Sequence, residues 1–318
     1  MRRTTGRAAA AALALALSTF ALPSALALTP RTESSAAVDG TSATRRAGTE
    51  SRDAERTTAG SATAAADWEL TWRDEFNQAR GTKPDPAKWV HDRGGEPQWG
   101  NEEWQYYTDR KENVSQDGNG NLAISARRER LPGMENCPYG PCDVTSGRIT
   151  TLGKFEQEYG RFEAKIKVPA GQGLWPAFWM MGNDIDSTGW PGNGEIDVME
   201  IVGNEPSTLY GTIHGEGYSG ENGPSGSVQR PGGGKFADAF HLFSVDWAPD
   251  EIVWRLDGVQ YFKVTKDDIP AGSRWAFDHP FYLLLNLAVG GIWPGPPDSS
   301  TQFPATLLVD YVRVYTKA

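Results

Sequence analysis

Three acids in one short segment are the residues of this 318-residue chain best suited to chemistry: Gly194-Glu195-Ile196-Asp197-Val198-Met199-Glu200-Ile201. Glu195 and Asp197 alternate with Ile196 and Val198, so on a β-strand the two acids share one face while the aliphatic side chains enter a core. Glu200 is out of phase, and strict alternation would bury it on the wrong side unless one extra residue is accommodated around Val198 and Met199. A β-bulge does this, and bulges gather beside active sites because they re-aim a side chain. With a bulge there, all three carboxylates line one face. Retaining glycoside cleavage needs two carboxyl groups roughly 5 to 5.5 Å apart, one as nucleophile and one as general acid and then base. Asp197 between them can hydrogen-bond the nucleophile, and crowding three acids must raise at least one apparent pKa, so that a proton stays available. Spacing alone does not say which acid keeps it.

An acidic strand face is more often simply solvated, and here the neighbours decide otherwise. Trp175, Phe178 and Trp179 precede the triad, Trp190 sits just before it, and His214 follows on the next expected strand, Thr208 to Gly215. So many large aromatics suit a concave groove that stacks sugar rings. About half of the 12 Trp are expected to be core packing instead.

The elements that must position these groups are strands. From Trp68 onward, short apolar-alternating runs are separated by Gly, Pro, Asn and Asp, with no long stretch of helical period. In Gly160 to Val168, the residues Phe162, Ala164, Ile166 and Val168 face a core, and Arg161, Glu163, Lys165 and Lys167 face away. Ile252 to Phe262 reads as a hairpin through an Asp257-Gly258 turn. With Phe281 to Ala288 and Leu307 to Tyr315, the strands are numerous enough for an all-β sandwich of two packed sheets in one domain.

That domain is expected to span 67–318. Arg2, Arg3 and Arg7, an apolar run from Ala8 to about Leu22 and Ala25-Leu26-Ala27 together read as a signal peptide over 1–27, cleaved after Ala27, which makes the mature protein secreted. A membrane anchor needs roughly 20 uninterrupted apolar residues, and Ser18, Thr19, Pro23 and Ser24 break this run. Residues 28–66 are Ala, Thr, Ser, Gly and mixed charge, too poor in large apolar groups to offset ordering entropy, and are expected to be a disordered linker or pro-segment. Removing the eight Arg and five acids of residues 1–66 leaves 23 basic and 36 acidic residues, a domain charge of −13. That disfavours nucleic acid and anionic membranes as partners; a neutral polymer and a monomeric enzyme are expected. Cys137 and Cys142 in Cys-Pro-Tyr-Gly-Pro-Cys suit a local disulfide in an oxidising compartment, and no second Cys/His pair completes a zinc site.

Glu195-Ile196-Asp197-Val198-Met199-Glu200 resembles the bulged signature of glycoside hydrolase family 16. The resemblance runs through the whole domain, from Trp72-Arg73-Asp74-Glu75-Phe76 through Trp99-Gly100-Asn101-Glu102-Glu103 to Val309-Asp310-Tyr311-Val312-Arg313-Val314-Tyr315. It implies a concanavalin-like β-jelly roll with a substrate groove across its concave sheet, with Glu195 as nucleophile, Asp197 as its helper and Glu200 as acid/base. The segments 100–108 and 286–295 are similar to those of laminarinases, which implies endo-acting cleavage of β-1,3-glucan and groove contacts from Asn101, Arg148, Trp175, Trp179 and His214. Arg148 could instead be an ordinary strand cation, Asn101 a turn former and His214 a satisfied core histidine. Relatives also carry a structural Ca²⁺ on the convex side, and Glu75, Gly120 through its carbonyl and Asp310 match its ligands, or else form a hydrogen-bonded junction of terminal strands. No cofactor is implied for catalysis. Competing readings are a mixed-linkage β-1,3-1,4-glucanase, an agarose or carrageenan hydrolase, and a β-glucan-binding protein, which would be expected to lose one or both glutamates.

Overall fold

The computed structural model describes residues 67–318 except 135 and 138, so the expected signal peptide and the 28–66 segment lie outside the described residues. Apolar alternation resolves into two packed, almost wholly antiparallel sheets, the jelly-roll sandwich that the pattern and the resemblance imply. One sheet orders its strands Ser225–Gln229, Thr208–His214, Glu195–Glu200, Leu174–Gly182, Phe281–Val289, Arg148–Thr150 and Val90–His91. The spine of the other runs Val259–Thr265, Glu251–Leu256, His241–Ala248, Gly160–Lys167, Ala305–Lys317, Leu122–Arg128, Val144–Ser146 and Gln105–Tyr107. Four sequential strands over 174–229 form a meander that carries the acids, and strands from earlier and later in the chain complete the groove sheet, as Phe281–Val289 does beside Leu174–Gly182.

Between the sheets, Phe178, Met180, Ile196, Leu283 and Leu285 meet Phe162, Val245, Trp247, Trp254 and Val312 in one continuous core. The expected hairpin is present between Glu251–Leu256 and Val259–Thr265, with Asp257 and Gly258 at φ 49° and 81°. Positive φ at both positions matches the turn to the right-handed twist of the strands. One expected orientation gains a partner, and one expectation needs correction. Glu163 is on the outer face but only 8% exposed, because Tyr315 of the adjacent strand lies over it and donates its hydroxyl at 3.1 Å. Only four Trp, at 89, 247, 254 and 275, are buried, fewer than the expected half of the 12.

The bulge lies where the acid spacing requires it. Between Asp197 and Glu200 the register shifts against both neighbouring strands: Trp179 pairs with Asp197 and Phe178 with Met199, so Val198 is the extra residue. Val198 and Met199 both enter the core. A bulge leaves ladder groups unpaired, and here a tryptophan from the opposite sheet answers one of them: the fully buried Trp254 donates its indole N–H to the Asp197 carbonyl at 2.7 Å. Gly211 on the adjacent strand makes room for that ring, since a Cβ there would stand 2.4 Å from Trp254 Cδ1. Gly211→Ala is therefore expected to push Trp254 off the bulge and to destabilise the fold by roughly 1–3 kcal/mol, as overpacking does. A denaturant midpoint unchanged from wild type would contradict this.

Candidate active site

Strand register places the acids in a lattice of groove-facing side chains. The first row is His214, Glu195, Met181 and Tyr282; the second is Thr212, Asp197, Trp179 and Leu284; the third is Tyr210, Glu200, Ala177, Asn286 and Arg148. Trp175, beside Ala288, opens a fourth. Glu195 and Glu200 sit opposite residues four apart on each neighbouring strand, Met181 and Ala177 on one side and His214 and Tyr210 on the other, and an even count keeps them on one face. Met181, Tyr282 and Leu284, with Trp179 and Ile185 against them, form a separate apolar cluster on this face. The acids thus stand on a floor that carries little water.

Each glutamate is held by a different tryptophan. Trp190 Nε1 donates to Glu195 Oε2 at 2.5 Å, and Trp175 Nε1 donates to Glu200 Oε1 at 3.0 Å. His214 Nε2 lies 3.1 Å from Asp197 Oδ2, although the angle does not make a hydrogen bond. Among the described residues, Asp197 Oδ2 and His214 Nδ1 are buried without a hydrogen-bond partner, an arrangement suited to groups that complete their bonding with a bound molecule. Burial raises all three carboxyl pKa values. Glu195 is pushed up to about 8 by desolvation and then by the Asp197 charge, against which His214 and the Trp190 N–H favour its ionised form. Asp197 is raised by burial and drawn down by its hydrogen bond with Glu195. Glu200 goes well above the usual carboxylate range through burial and the charges of Asp197 and Glu195. The cluster therefore retains protons near neutral pH, which general acid chemistry requires.

The other expected groove residues are present with more specific partners than the sequence suggests. Arg148 donates to Asp92 at 2.8 Å, and its guanidinium lies 4.5 Å from the Trp99 ring centroid and 4.8 Å from that of Trp179. It is a staple between two aromatic rings as well as a strand cation. Trp179 spends its own N–H on Asn286 at 2.7 Å, which fixes the ring. Asn101 is exposed and leads into a buried polar chain: it donates to Glu103 at 3.0 Å, Gln105 donates to Glu103 at 2.5 Å, and Asn286 donates to the Tyr107 hydroxyl at 3.2 Å. Glu103, Gln105, Tyr107, Asn286, Trp254 and Trp293 were not legible as site residues. Only the polar alternation Glu103-Gln105-Tyr107 hinted at an inward face. Trp293 reaches the site by packing edge-on to Trp175 and Tyr210 at 5.4 and 5.1 Å between centroids.

Cys137 and Cys142 form the expected disulfide. At the three positions matched to Ca²⁺, the register sets Asp74 opposite Val312 and Leu122 opposite Val309, which brings the neighbourhoods of Glu75, Gly120 and Asp310 together. Both Glu75 oxygens accept from Arg313 at 2.9 Å, and Asp310 pairs with Lys165 at 2.7 Å. As arranged, both Glu75 oxygens and Asp310 Oδ2 are paired with side-chain cations, with which a Ca²⁺ would have to compete. Among the described residues, Glu195, Asp197 and His214 are the group whose donor atoms, all within 4.8 Å, could also accept a metal ion.

The sequence pattern of glycosyl hydrolases family 16 matches residues 101–313. The chain belongs to glycosyl hydrolase family 16. This family 16 enzyme is 42% identical over 260 residues to a β-glucanase of Rhodothermus marinus, covering 79% of this chain and 86% of that one. It is 46% identical to the laminarinase catalytic domain of Thermotoga maritima, with a TM-score of 0.73 over 79% of this chain and 99% of that one. Against the endo-β-1,3-glucanase of Pyrococcus furiosus the identity is again 46%, with a TM-score of 0.72 over 79% and 95%. As a glycoside hydrolase it carries the buried acids at a cost in stability. Below the unfolded pKa near 4.5, Glu200 is protonated in both states and contributes nothing; above it, the unfolded chain ionises while the fold holds the proton. Stability then falls as pH rises toward the folded pKa, by about 1.4 kcal/mol per pH unit for one such group. Glu200→Gln is thus expected to be more stable than wild type by about 1–3 kcal/mol at about pH 7 and indistinguishable at about pH 4. Chemical denaturation at the two pH values measures this, and a variant less stable at the higher pH would contradict it.

Proposed function

We propose that this family 16 enzyme is a secreted endo-β-1,3-glucanase that cleaves laminarin-type glucans with retention, with Glu195 as nucleophile and Glu200 as acid and then base. The observation that carries the reading is the set of three carboxylates, Asp197 and Glu200 buried and Glu195 half-buried, brought onto one face of an aromatic-floored sheet by the Val198 bulge. The β-1,3 linkage comes from the names of the relatives above, and the domain charge of −13 suits a neutral polymer. In the first step, Glu200 gives its proton to the glycosidic oxygen as a Glu195 oxygen attacks the anomeric carbon, forming a glycosyl ester and releasing the reducing-end fragment. The Trp190 N–H on Oε2 leaves Oε1 for the attack. Glu200, now ionised, takes a proton from water, which attacks the same carbon from the face the leaving group vacated and frees Glu195. Asp197, itself raised by burial and hydrogen-bonded with Glu195, shares the proton of the pair, so that Glu195 can attack as the carboxylate. Trp175 sets the Glu200 carboxyl, while Trp179, fixed by Asn286 and Arg148, stacks a sugar, and Asn101 and His214 hydrogen-bond hydroxyls.

Side chains alone carry these steps. A Ca²⁺ at Glu75, Gly120 and Asp310 would have to displace Arg313 and Lys165, and a melting temperature that rises in Ca²⁺ relative to chelator is the result that would support it. Secretion rests on the pattern of residues 1–27, with which the Cys137–Cys142 disulfide agrees. Among the described residues no helix is long and apolar enough to cross a membrane, and action as a monomer outside the cell is part of the same proposal. Chemical rescue separates the two glutamates. Glu195→Ala and Glu200→Ala are each expected to lose roughly 10²–10⁴-fold or more of activity on laminarin. On an activated aryl glycoside, azide should rescue the first to an α-glycosyl azide and the second to a β-glycosyl azide. The opposite pairing would exchange the roles, and faster turnover on mixed-linkage glucan or agarose than on laminarin would move the substrate assignment.

A further inference from the structure

The geometry points to a distal glucan-binding subsite on the disulfide-closed loop, with the ring of Tyr139 as its stacking platform. This rests on the proposed action on β-glucan and extends it to sugars remote from the cleavage point. Asn136–Cys137 and Gly140–Pro141 pair as a miniature hairpin closed by the Cys137–Cys142 disulfide, and Tyr139 lies in its turn. The loop sits on a small apolar base of Met134 and the two cysteines, with Tyr106 and Leu131 against it. Although Tyr139 is 54% exposed, its ring is held from two further directions. It packs on Trp104 at 4.8 Å between centroids, and its hydroxyl donates to Glu102 Oε2 at 3.1 Å. Glu102 itself adopts φ 56°, a conformation sparsely populated by residues with a Cβ and found where a side chain must be aimed.

An exposed aromatic fixed in this way is costly to keep for packing alone, because it leaves much of its apolar surface in water. It suits a ligand that stacks, since the entropy of immobilising the ring is already lost before binding. The location agrees. The Trp104 backbone N–H bonds the Val289 carbonyl at 2.8 Å, at the end of a groove-sheet strand, and a Cβ on Gly290 would stand 2.4 Å from the Trp104 ring. The Ile292 N–H bonds the Asn101 carbonyl at 3.0 Å, so the same loop reaches the groove residue Asn101. Through Glu103, Tyr107 and Asn286, Asn101 connects to the Arg148 side of the acid lattice. Tyr139 therefore extends that arm of the groove beyond Asn101, and a chain long enough to reach it gains one stacking contact.

The test is kcat/KM of the full chain on β-1,3-gluco-oligosaccharides of increasing length, for wild type, Tyr139→Ala and Tyr139→Phe, with melting temperatures recorded for each. Tyr139→Ala is expected to cut the wild-type gain on the longest members by about tenfold, the worth of one stacked ring, and to leave the shortest cleaved member unchanged. Tyr139→Phe, which keeps the ring and loses the Glu102 bond, should fall between. Mild reduction of the disulfide should reproduce the loss. An unchanged length dependence in Tyr139→Ala overturns the subsite, as does an equal loss at every length, which would mark the ring as a support for Trp104. Failure of wild type to cleave any member of the series would overturn the glucanase reading and this one with it.

Discussion

One hydrogen bond between the two sheets conditions the rest of the site. A strand that must show three carboxylates on one face over six residues cannot do so in regular β geometry, because its alternation turns Glu200 inward. The extra residue, Val198, restores the face and leaves main chain to be satisfied at the depth of the core. Trp254 supplies that bond from the opposite sheet, and Gly211 vacates the space its indole needs. An unmet carbonyl at this depth would cost about 1–3 kcal/mol, enough to let the bulge relax toward regular pairing. The face that carries the acids is thus set by a contact between Trp254 and a peptide unit 57 residues earlier in the chain.

Electrostatics depends on the same geometry. Three acids over an apolar floor hold one another protonated, while Trp190 and Trp175 each give one N–H to one glutamate. Both glutamates have a tryptophan N–H and His214 favouring their charge and Asp197 opposing it; they differ in that the charge of Glu195 also weighs on Glu200, which goes well above the usual carboxylate range. This asymmetry supports assigning attack to the first and proton donation to the second. The site is also a source of instability that the large core must offset, in keeping with the trade between activity and stability.

What the sequence made legible follows from period. Gly160–Lys167, the Asp257-Gly258 hairpin and the bulge beside Glu200 all show themselves as alternation or as its failure, and each is present in the structure. The family resemblance added the groove residues, and family membership bears out the hydrolase it implied. What period could not show is which partner a side chain finds across the fold. Glu163 belongs to a polar face by alternation and is buried because Tyr315 covers it from a strand 152 residues away. For Arg148 the resemblance implies a groove contact and the residue pattern alone an ordinary strand cation, and only tertiary contact puts its guanidinium between Trp99 and Trp179. Trp254 looks like any core residue of a hairpin. Its role at the bulge depends on sheet packing, which leaves no local mark in the sequence.

The central claim is that Glu195 and Glu200 act as nucleophile and acid/base on one face, so that cleavage proceeds through a glycosyl-enzyme ester with net retention. A proton NMR time course of the enzyme acting on laminarin tests it most directly, by reading the anomeric configuration of new reducing ends before mutarotation. The account predicts that the β-anomer appears first. Initial release of the α-anomer would contradict it, because a single displacement by water would then replace the two steps this lattice of acids is arranged to perform.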